Sequence, residues 1–498
     1  MFLLSNFGIE KMFNLKPCIM IFDLETKQRK EIWNYLSKKL ESYYANTEII
    51  DVVNNENRAE VLKTIDSDFN TARSTEEAID KVVKGLKQHA VHTPHPLYYG
   101  MFNPRSSFPS IVADAITATF NPQLAAWGHA PYAVEIEHML IQEIGKKFGY
   151  EQPNIDGVFT TGGQEANLTA LLTALNNKFS DYADEGLHAV SGTPIIYCSK
   201  ASHHATIKAA KICGLGINSV KYIEVDDNQK MIPFKLENEI LNDLSKGKIP
   251  LMIVSTMGTT GAGAIDPINE ISVIAKKYSI WLHADAAYGG AVVLTQKYKY
   301  LQKGIEKADS ITFDAHKWLS VPMATSMFIT KHRNILSKTF SITANFMPLE
   351  EDDISKLGSY THSIQWSRRF IGLKLYMPLL VFGWKGFDET ISHQMKMGQL
   401  LKRKLEANNW KLYNNTELPI ACFTDVEFEN EPEFSTYIYE SFLETGEAWL
   451  INYPVGNKFT LRACITNYNT TEAHLDKLIN LLNKKRAIYK KEHNLVTI

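Results

Sequence analysis

The spacing of apolar residues along the chain predicts first a helical arm and then an α/β core. From Gln28 to about His92, apolar residues recur at the spacing of helix turns, and Pro94 and Pro96 end this pattern. The residues that set the helical spacing include Ile32, Trp33, Leu36, Leu40 and Tyr43.

In the middle of the chain, short apolar runs of strand length alternate with helical patterns such as Glu165–Asn176 and Ile268–Tyr278. The apolar runs are Gly157–Thr160, Pro194–Cys198, Ser219–Val225, Leu251–Thr256, Trp281–Asp285, Ser310–Phe313 and Ala324–Ile329. This alternation predicts an α/β fold with a mainly parallel seven-stranded sheet and helices on both of its faces. Ligands of such sheets bind beyond the carboxyl ends of the strands, so we expect the chemistry there.

The pattern changes again after Trp366 and predicts a small α+β domain. A helical stretch, Phe370–Phe382, leads to Gly383-Trp384-Lys385-Gly386. Strands are predicted near Pro419–Phe428 and Phe459–Ile465, followed by a closing helix, Thr471–Tyr489. The predicted domains are a helical N-terminal arm (1–105), a large domain (106–375) and a small C-terminal domain (376–498).

Composition narrows the possible partners. Of 498 residues, 22% are charged and the formal net charge is −2, so no basic patch suggests a nucleic-acid partner. No apolar run is long enough to cross a membrane, and no secretory signal is visible. The five cysteines are scattered, which argues against a disulfide framework and a zinc site and favours a reducing, cytoplasmic location.

Two predicted strands lead into residues that suit a flat, phosphorylated ligand. Before a helix, the glycine pair Gly162-Gly163, followed by Gln164, would let the backbone approach a phosphate, although ordinary tight turns also use glycine pairs. Asp285 ends its strand and is followed by small residues such as Ala287, which leave room for a ring. Its carboxylate would pair with a cationic ring nitrogen, whereas the ordinary alternative is a helix N-cap.

A lysine and a histidine follow two other strands. Lys317 lies in an apolar setting beside His316, where burial would favour a neutral amine that forms imines with aldehydes. A surface lysine at a strand edge is the ordinary alternative. His203 could stack on a ring or shuttle a proton. The histidines do not have a spacing that places two metal ligands on one helical face, so no metal site is predicted.

These features are weak separately, but together they describe one cofactor. Pyridoxal 5′-phosphate (PLP) needs a lysine for its imine, an acid for its ring nitrogen and a cradle for its phosphate. The sequence supplies all three at predicted strand ends.

With these residues, the sequence resembles the PLP-dependent group II decarboxylases. This fold-type-I family includes aromatic-L-amino-acid, histidine and glutamate decarboxylases. The resemblance runs from about His95 to Cys464, and its specific markers are His283-Ala284-Asp285-Ala286-Ala287-Tyr288 and His316-Lys317-Trp318.

The resemblance implies a reaction and a role for each candidate. Lys317 would hold PLP as an internal aldimine, and Asp285 would pair with the pyridine nitrogen. The L-amino acid would form an external aldimine, lose CO2 to give a quinonoid carbanion, and be released as an amine. His203 would stack on the ring and help protonate the product. The other residues implied at the cofactor are Gly163, Gln164, Thr256, Ala287, Asp314 and His316. The family also implies a homodimer with active sites at its interface.

The sequence departs from the family pattern at two positions. Asp314-Ala315 stands where the family often has Asn-Pro, which places an acid near the phosphate. Phe346 stands where a mobile loop carries the tyrosine that donates a proton, and phenylalanine has no hydroxyl. In plant relatives this exchange accompanies oxidative deamination to an aldehyde. An aldehyde synthase, or another proton donor such as His203 or Tyr360, is therefore an alternative.

The substrate is expected to be an aromatic L-amino acid because aromatic residues dominate the predicted pocket wall. Arg105 would instead suit an acidic side chain, or it is a surface residue. A PLP-fold protein without turnover is a second alternative, and a metal hydrolase is a distant third. The predicted substrate-binding residues are Tyr99, Met101, Phe102 and Arg369, and the predicted wall also includes Tyr98, Asn103 and Pro104.

Overall fold

The computed structural model describes residues 22–54, 57–340, 342 and 359–493. These residues form two compact units. The smaller covers the described residues of Met1–Ile50 and Asn54–Val91, and the larger covers those of Asp51–Val53 and His92–Ile498. The predicted domain boundaries at residues 105 and 375 stay predictions.

A seven-stranded sheet forms the centre of the larger unit, with the strand order β1-β7-β6-β5-β4-β2-β3. The strands from β2 to β6 run parallel, which confirms the predicted α/β fold with a mainly parallel sheet. The strands are β1 (Asp156–Thr160), β2 (Pro194–Ser199), β3 (Val220–Ile223), β4 (Ile249–Thr256), β5 (Trp281–Asp285), β6 (Ser310–Asp314) and β7 (Ser326–Thr330).

The seventh strand differs from a purely parallel sheet because it runs antiparallel to both of its neighbours. The chain turns back after β6, and Asp314 lies opposite Ser326 in the register of the two strands. The short connection between β6 and β7 suits an antiparallel pair, since a parallel partner requires a longer crossover connection. The turn between these strands carries Lys317.

Helices cover the sheet and form the smaller unit. The described part of the predicted N-terminal arm contains three separate α-helices. The helix Leu373–Ala407 continues past the predicted end at Phe382, and its backbone kinks at Gly383, where φ is 59°. The helices are α1 (Thr26–Ala45), α2 (Arg58–Thr64), α3 (Thr75–Gln88), α4 (Phe108–Phe120), α5 (Pro131–Lys147), α6 (Gly163–Lys178), α7 (Tyr182–Glu185), α8 (Ala205–Ile212), α9 (Pro233–Ser245), α10 (Ile268–Lys277), α11 (Ala315–Trp318), α12 (Ile335–Phe340), α13 (Leu373–Ala407), α14 (Pro432–Thr445) and α15 (Glu472–Glu492).

A second, antiparallel sheet near the C-terminus has the order β10-β11-β9-β8. Its strands are β8 (Lys411–Leu412), β9 (Ile420–Thr424), β10 (Ile451–Val455) and β11 (Lys458–Cys464). The end of β11 is tied to the predicted pocket wall, because Cys464 N donates to Tyr99 O at 2.8 Å.

Three chemical features of the described chain bear on the sequence-based expectations. None of its helices combines the length and apolar character needed to span a bilayer. The cysteines Cys198, Cys213, Cys422 and Cys464 are free and buried. No group of three or more His, Cys, Asp or Glu residues within this part is arranged to hold a metal ion. The cytoplasmic location stays a prediction.

Candidate active site

The carboxyl ends of three neighbouring strands bring the predicted polar residues to one edge of the sheet. Thr256 of β4 lies opposite Asp285 of β5, and Asp285 lies opposite Thr312 of β6. Asp314 ends β6 two residues later. These strands are buried along their whole length, so their terminal polar side chains are buried as well.

Asp285 is a buried carboxylate held in place by two neutral donors. Ala287 N donates to Oδ1 at 3.2 Å, and Asn167 Nδ2 donates to Oδ2 at 3.3 Å. Asn167 also donates to Gly163 O at 2.8 Å, which ties the first turn of α6 to the end of β5. Because both donors are uncharged, the carboxylate retains its capacity to pair with a cation. Before the structure, the only indication for Asn167 was its place in a predicted helix.

Lys317 lies on the single-turn helix α11 and faces an acid and an aromatic ring. Its Nζ is 3.0 Å from Asp314 Oδ2 and 5.7 Å from the ring centroid of Phe102. The Asp314 side chain is only 3% exposed, and its Oδ1 has no hydrogen-bond partner among the described residues.

Gly163 begins α6 and lies against the same acid. A Cβ added at this position would come within 2.8 Å of Asp314 Oδ2, so a side chain would not fit without movement. The neighbouring Gln164 is turned toward α8, where its Nε2 donates to Ala205 O at 3.3 Å. An anionic group bound at the first turn of α6 would meet the positive end of a helix dipole.

His316 is buried and anchored to the turn before β7. Its Nδ1 lies 3.1 Å from Thr325 O and 3.2 Å from Ser326 Oγ, while its Nε2 is 4.0 Å from Asp314 Oδ2. Burial lowers the pKa of His316 more than Asp314 raises it. The ring is therefore expected to be neutral at neutral pH, and Asp314 does not make it a cation.

His203 lies in the loop between β2 and α8. Its Nδ1 accepts a hydrogen bond from Ala205 N at 3.1 Å. The protein atoms around the ring lower its pKa by desolvation, although Asp285 acts in the opposite direction. The loop is fixed by Ser202, whose Oγ is 2.9 Å from Thr256 Oγ1. A neutral imidazole beside Asp285 and Lys317 can accept or donate a proton.

One wall of the site is a stack of aromatic rings that ends in an arginine. Phe102 lies 4.2 Å from Tyr288, which stacks on Trp318 at 4.9 Å. Arg462 is fully buried, its Cζ lies 4.7 Å above Phe102, and its Nη1 donates to Gly100 O at 2.8 Å. Its Nε and Nη2 have no hydrogen-bond partner within the described chain. The signal that could have identified Arg462 is a charged residue inside the predicted strand Phe459–Ile465.

The remaining predicted site residues lie in different surroundings. Tyr99 is fully buried, whereas Met101 is 44% exposed. Arg369 is half exposed and donates to Asp114 Oδ1 at 2.7 Å, and none of its hydrogen bonds in the described structure joins it to Lys317. Phe346 lies outside the described residues.

His283 is a structural residue rather than a ligand. It is fully buried in β5, with Nδ1 2.8 Å from Ser310 Oγ and Nε2 3.1 Å from Thr312 Oγ1 on β6. Burial lowers its pKa to about 4, so the ring is neutral and links the two strands.

These groups fit PLP. Asp285 has no cation among its hydrogen-bond donors, so a protonated pyridine nitrogen suits it, and Ala286 and Ala287 leave space for a flat ring. Lys317 would supply the amine, and the first turn of α6 would face the phosphate. The acid at Asp314 is the one group that an anionic phosphate would not favour.

The chain is similar in sequence and in fold to known decarboxylases. The family model described as "Pyridoxal-dependent decarboxylase conserved domain" matches residues 59–425. An aromatic-L-amino-acid decarboxylase of Bacillus atrophaeus is 27% identical over 463 residues, which cover 90% of this chain and 94% of the relative. The acidic amino acid decarboxylase GADL1 of Mus musculus is 30% identical and covers 73% of this chain and 67% of the relative. A crystal structure of mouse CSAD has a TM-score of 0.86 at 22% identity, covering 93% of this chain and 99% of that one.

Proposed function

Because this chain belongs to the family of pyridoxal-dependent decarboxylases, and is therefore a PLP-dependent amino-acid decarboxylase, we propose that it converts an aromatic L-amino acid to its amine and CO2. We assign the imine lysine to Lys317 and the partner of the ring nitrogen to Asp285. The observation that supports both assignments is that Lys317, Asp285 and the first turn of α6 meet at one end of the sheet.

Each residue has a task that follows from its position. When bound, PLP supplies an aldehyde for an imine and a cationic ring that takes up the electrons left by departing CO2. Asp285 keeps a proton on the ring nitrogen, because a buried carboxylate favours a neighbouring cation. The His203 imidazole, on which Lys317 and Asp285 act electrostatically, would take up a proton from solvent and pass it to the Cα atom of the product. The aromatic wall excludes water and receives the substrate side chain.

We expect phenylalanine, tyrosine or tryptophan to be decarboxylated with a kcat/KM about tenfold or more above that of aspartate and glutamate. The physical reason is that the ring of Phe102, whose centroid is 5.7 Å from Lys317 Nζ, offers an aromatic contact to a substrate ring. CO2 release from a panel of L-amino acids, including cysteine sulfinate, measures this preference.

The panel can also contradict the proposal. If an acidic amino acid is the best substrate, the unpaired Nε and Nη2 groups of Arg462 are the donors that would bind its second carboxylate. If PLP binds but no amino acid releases CO2, the chain is a binding protein. Amine, aldehyde and peroxide are measured in the same reactions. Aldehyde with peroxide would show that the Phe346 alternative holds, whereas amine alone excludes it.

We further propose that the chain works as a homodimer. Helix α4 presents Ile116 and Phe120 with 37% and 80% of their surface exposed, and in the smaller unit Trp33 and Leu40 of α1 are 55% and 47% exposed. Apolar surface of this kind is typical of subunit interfaces. Mass photometry is expected to give twice the chain mass of 56.4 kDa, and Phe120→Glu is expected to shift the population toward monomer. A wild-type protein that remains monomeric at micromolar concentration would refute the dimer.

A further inference from the structure

We propose that Asp314 holds the proton on the Lys317 nitrogen once that nitrogen has bonded to the aldehyde carbon of PLP. This inference rests on the function proposed above. It gives a role to the acid that replaces asparagine in the family pattern.

The position of the carboxylate is the main support. Asp314 Oδ2 is 3.0 Å from Lys317 Nζ, a distance at which a charge-assisted hydrogen bond forms. The Asp314 side chain is 3% exposed and that of Lys317 is 22% exposed, so solvent screens this pair far less than a surface pair.

The burial of Asp314 also requires a cationic partner. A buried carboxylate without one is costly, and Oδ1 has no hydrogen-bond partner among the described residues. His316 Nε2 is farther away, at 4.0 Å, and burial lowers the pKa of that ring. Lys317 is therefore the cation nearest to the acid.

The other charged and titratable groups around this pair lie on four different elements. Lys374 of α13 uses its Nζ to donate to Met323 O at 2.6 Å and to Ala324 O at 3.3 Å, so it is engaged elsewhere. Asp285 ends β5, where its hydrogen bonds come from neutral groups. The groups that face the pair are His203 of the β2–α8 loop, Asp285 of β5, His316 of α11 and Lys374 of α13.

The chemistry shows why this proton matters. The Lys317 nitrogen bonds to the aldehyde carbon, the aldehyde oxygen leaves as water, and one proton stays on the nitrogen. The carbon of an imine is more electrophilic when the imine nitrogen is protonated, so the amine of the substrate adds to it more readily. An acid fixed beside the nitrogen therefore keeps the loaded enzyme ready for substrate.

A competing explanation places Asp314 at the phosphate instead. The carboxylate lies directly against Gly163, at the first turn of α6. If repulsion of phosphate were its main effect, asparagine would tighten PLP binding without changing the protonation of the imine.

The test is a spectral pH titration of the loaded wild-type enzyme and of Asp314→Asn, which keeps the shape of the side chain and removes its charge. In the wild type, we expect the long-wavelength band of the protonated imine to persist from about pH 6 to about pH 9. In the variant, the midpoint at which this band disappears should fall by about one pH unit or more. Glu237→Gln is the matched control, because it removes one negative charge from an acid that pairs with Lys277 instead, and its midpoint should equal that of the wild type.

Each outcome decides the question. A midpoint that is unchanged in Asp314→Asn overturns the proposal, and tighter PLP binding in that variant would assign the acid to the phosphate. If the variant does not fold, the titration of the wild-type enzyme still tests the proposal. Loss of the protonated-imine band with a midpoint near neutral pH would overturn it. Borohydride reduction separates this inference from the function on which it rests. If borohydride traps the cofactor on Lys317, the proposed imine stands even when the titration contradicts the role of Asp314. If no cofactor is trapped on Lys317, both the imine and the role of Asp314 are refuted.

Discussion

Replacing Lys317 by alanine should reduce CO2 release by about 10³-fold or more and leave no cofactor covalently attached. The change removes the amine that lies 3.0 Å from Asp314. The nearby imidazoles of the described site do not form stable imines, and the amine of Lys374 is held by Met323 O and Ala324 O. Activity is measured as CO2 release, and attachment is measured by borohydride reduction followed by mass spectrometry.

Lys402 provides an internal control for this experiment. Burial lowers its pKa to about 8, so its amine is partly neutral near neutral pH and is a plausible competitor for an aldehyde. It donates to Leu418 O at 3.0 Å, and its other partner is Thr416 O. We expect the reduced cofactor on the peptide that contains Lys317 and not on the one that contains Lys402. A label on Lys402, or full activity of Lys317→Ala, would contradict the assignment.

The sheet was predictable because its strands are buried on both faces and read as continuous apolar runs. The strand Trp281–Asp285 has the same bounds in the sequence-based prediction and in the structure. The boundaries of others moved by a few residues, as for Ser219–Val225, observed as Val220–Ile223. The antiparallel direction of β7 was missed because apolar spacing does not encode strand direction.

The candidate site was predictable only where a local pattern carried the signal. Asp285 and Lys317 stand at ends of apolar runs, so the parallel topology brings them together. The contacts of Asn167 with Asp285 and of Arg462 with Phe102 join elements distant in sequence, and no local pattern reports them. Arg369 was predicted from a family motif. In the structure it pairs with Asp114 on an exposed part of the chain, and its role in substrate binding stays a prediction.

Asp285→Asn should lower kcat by about 10²-fold to 10³-fold or more, which corresponds to ~3–4 kcal/mol of lost transition-state stabilisation. Asparagine keeps the size of the side chain and can still accept from Ala287 N, but it carries no charge to retain a proton on the ring nitrogen. The effect should fall on kcat rather than on KM, because negative charge reaches the ring only as CO2 departs. Single-turnover measurements of CO2 release with saturating substrate test this expectation.

The control must separate the loss of charge from the loss of structure. Asp309→Asn also removes a partly buried acid at a strand end, since Asp309 accepts from Leu282 N at 2.8 Å and contacts His332 Nε2 at 2.8 Å. We expect that variant to lower the melting temperature while its kcat stays close to that of the wild type. Asp285→Asn should show the reverse, with the cofactor still reducible onto Lys317. If instead Asp285→Asn loses stability but retains kcat, the carboxylate only orders the turn at Ala287, and the ring nitrogen must have another partner.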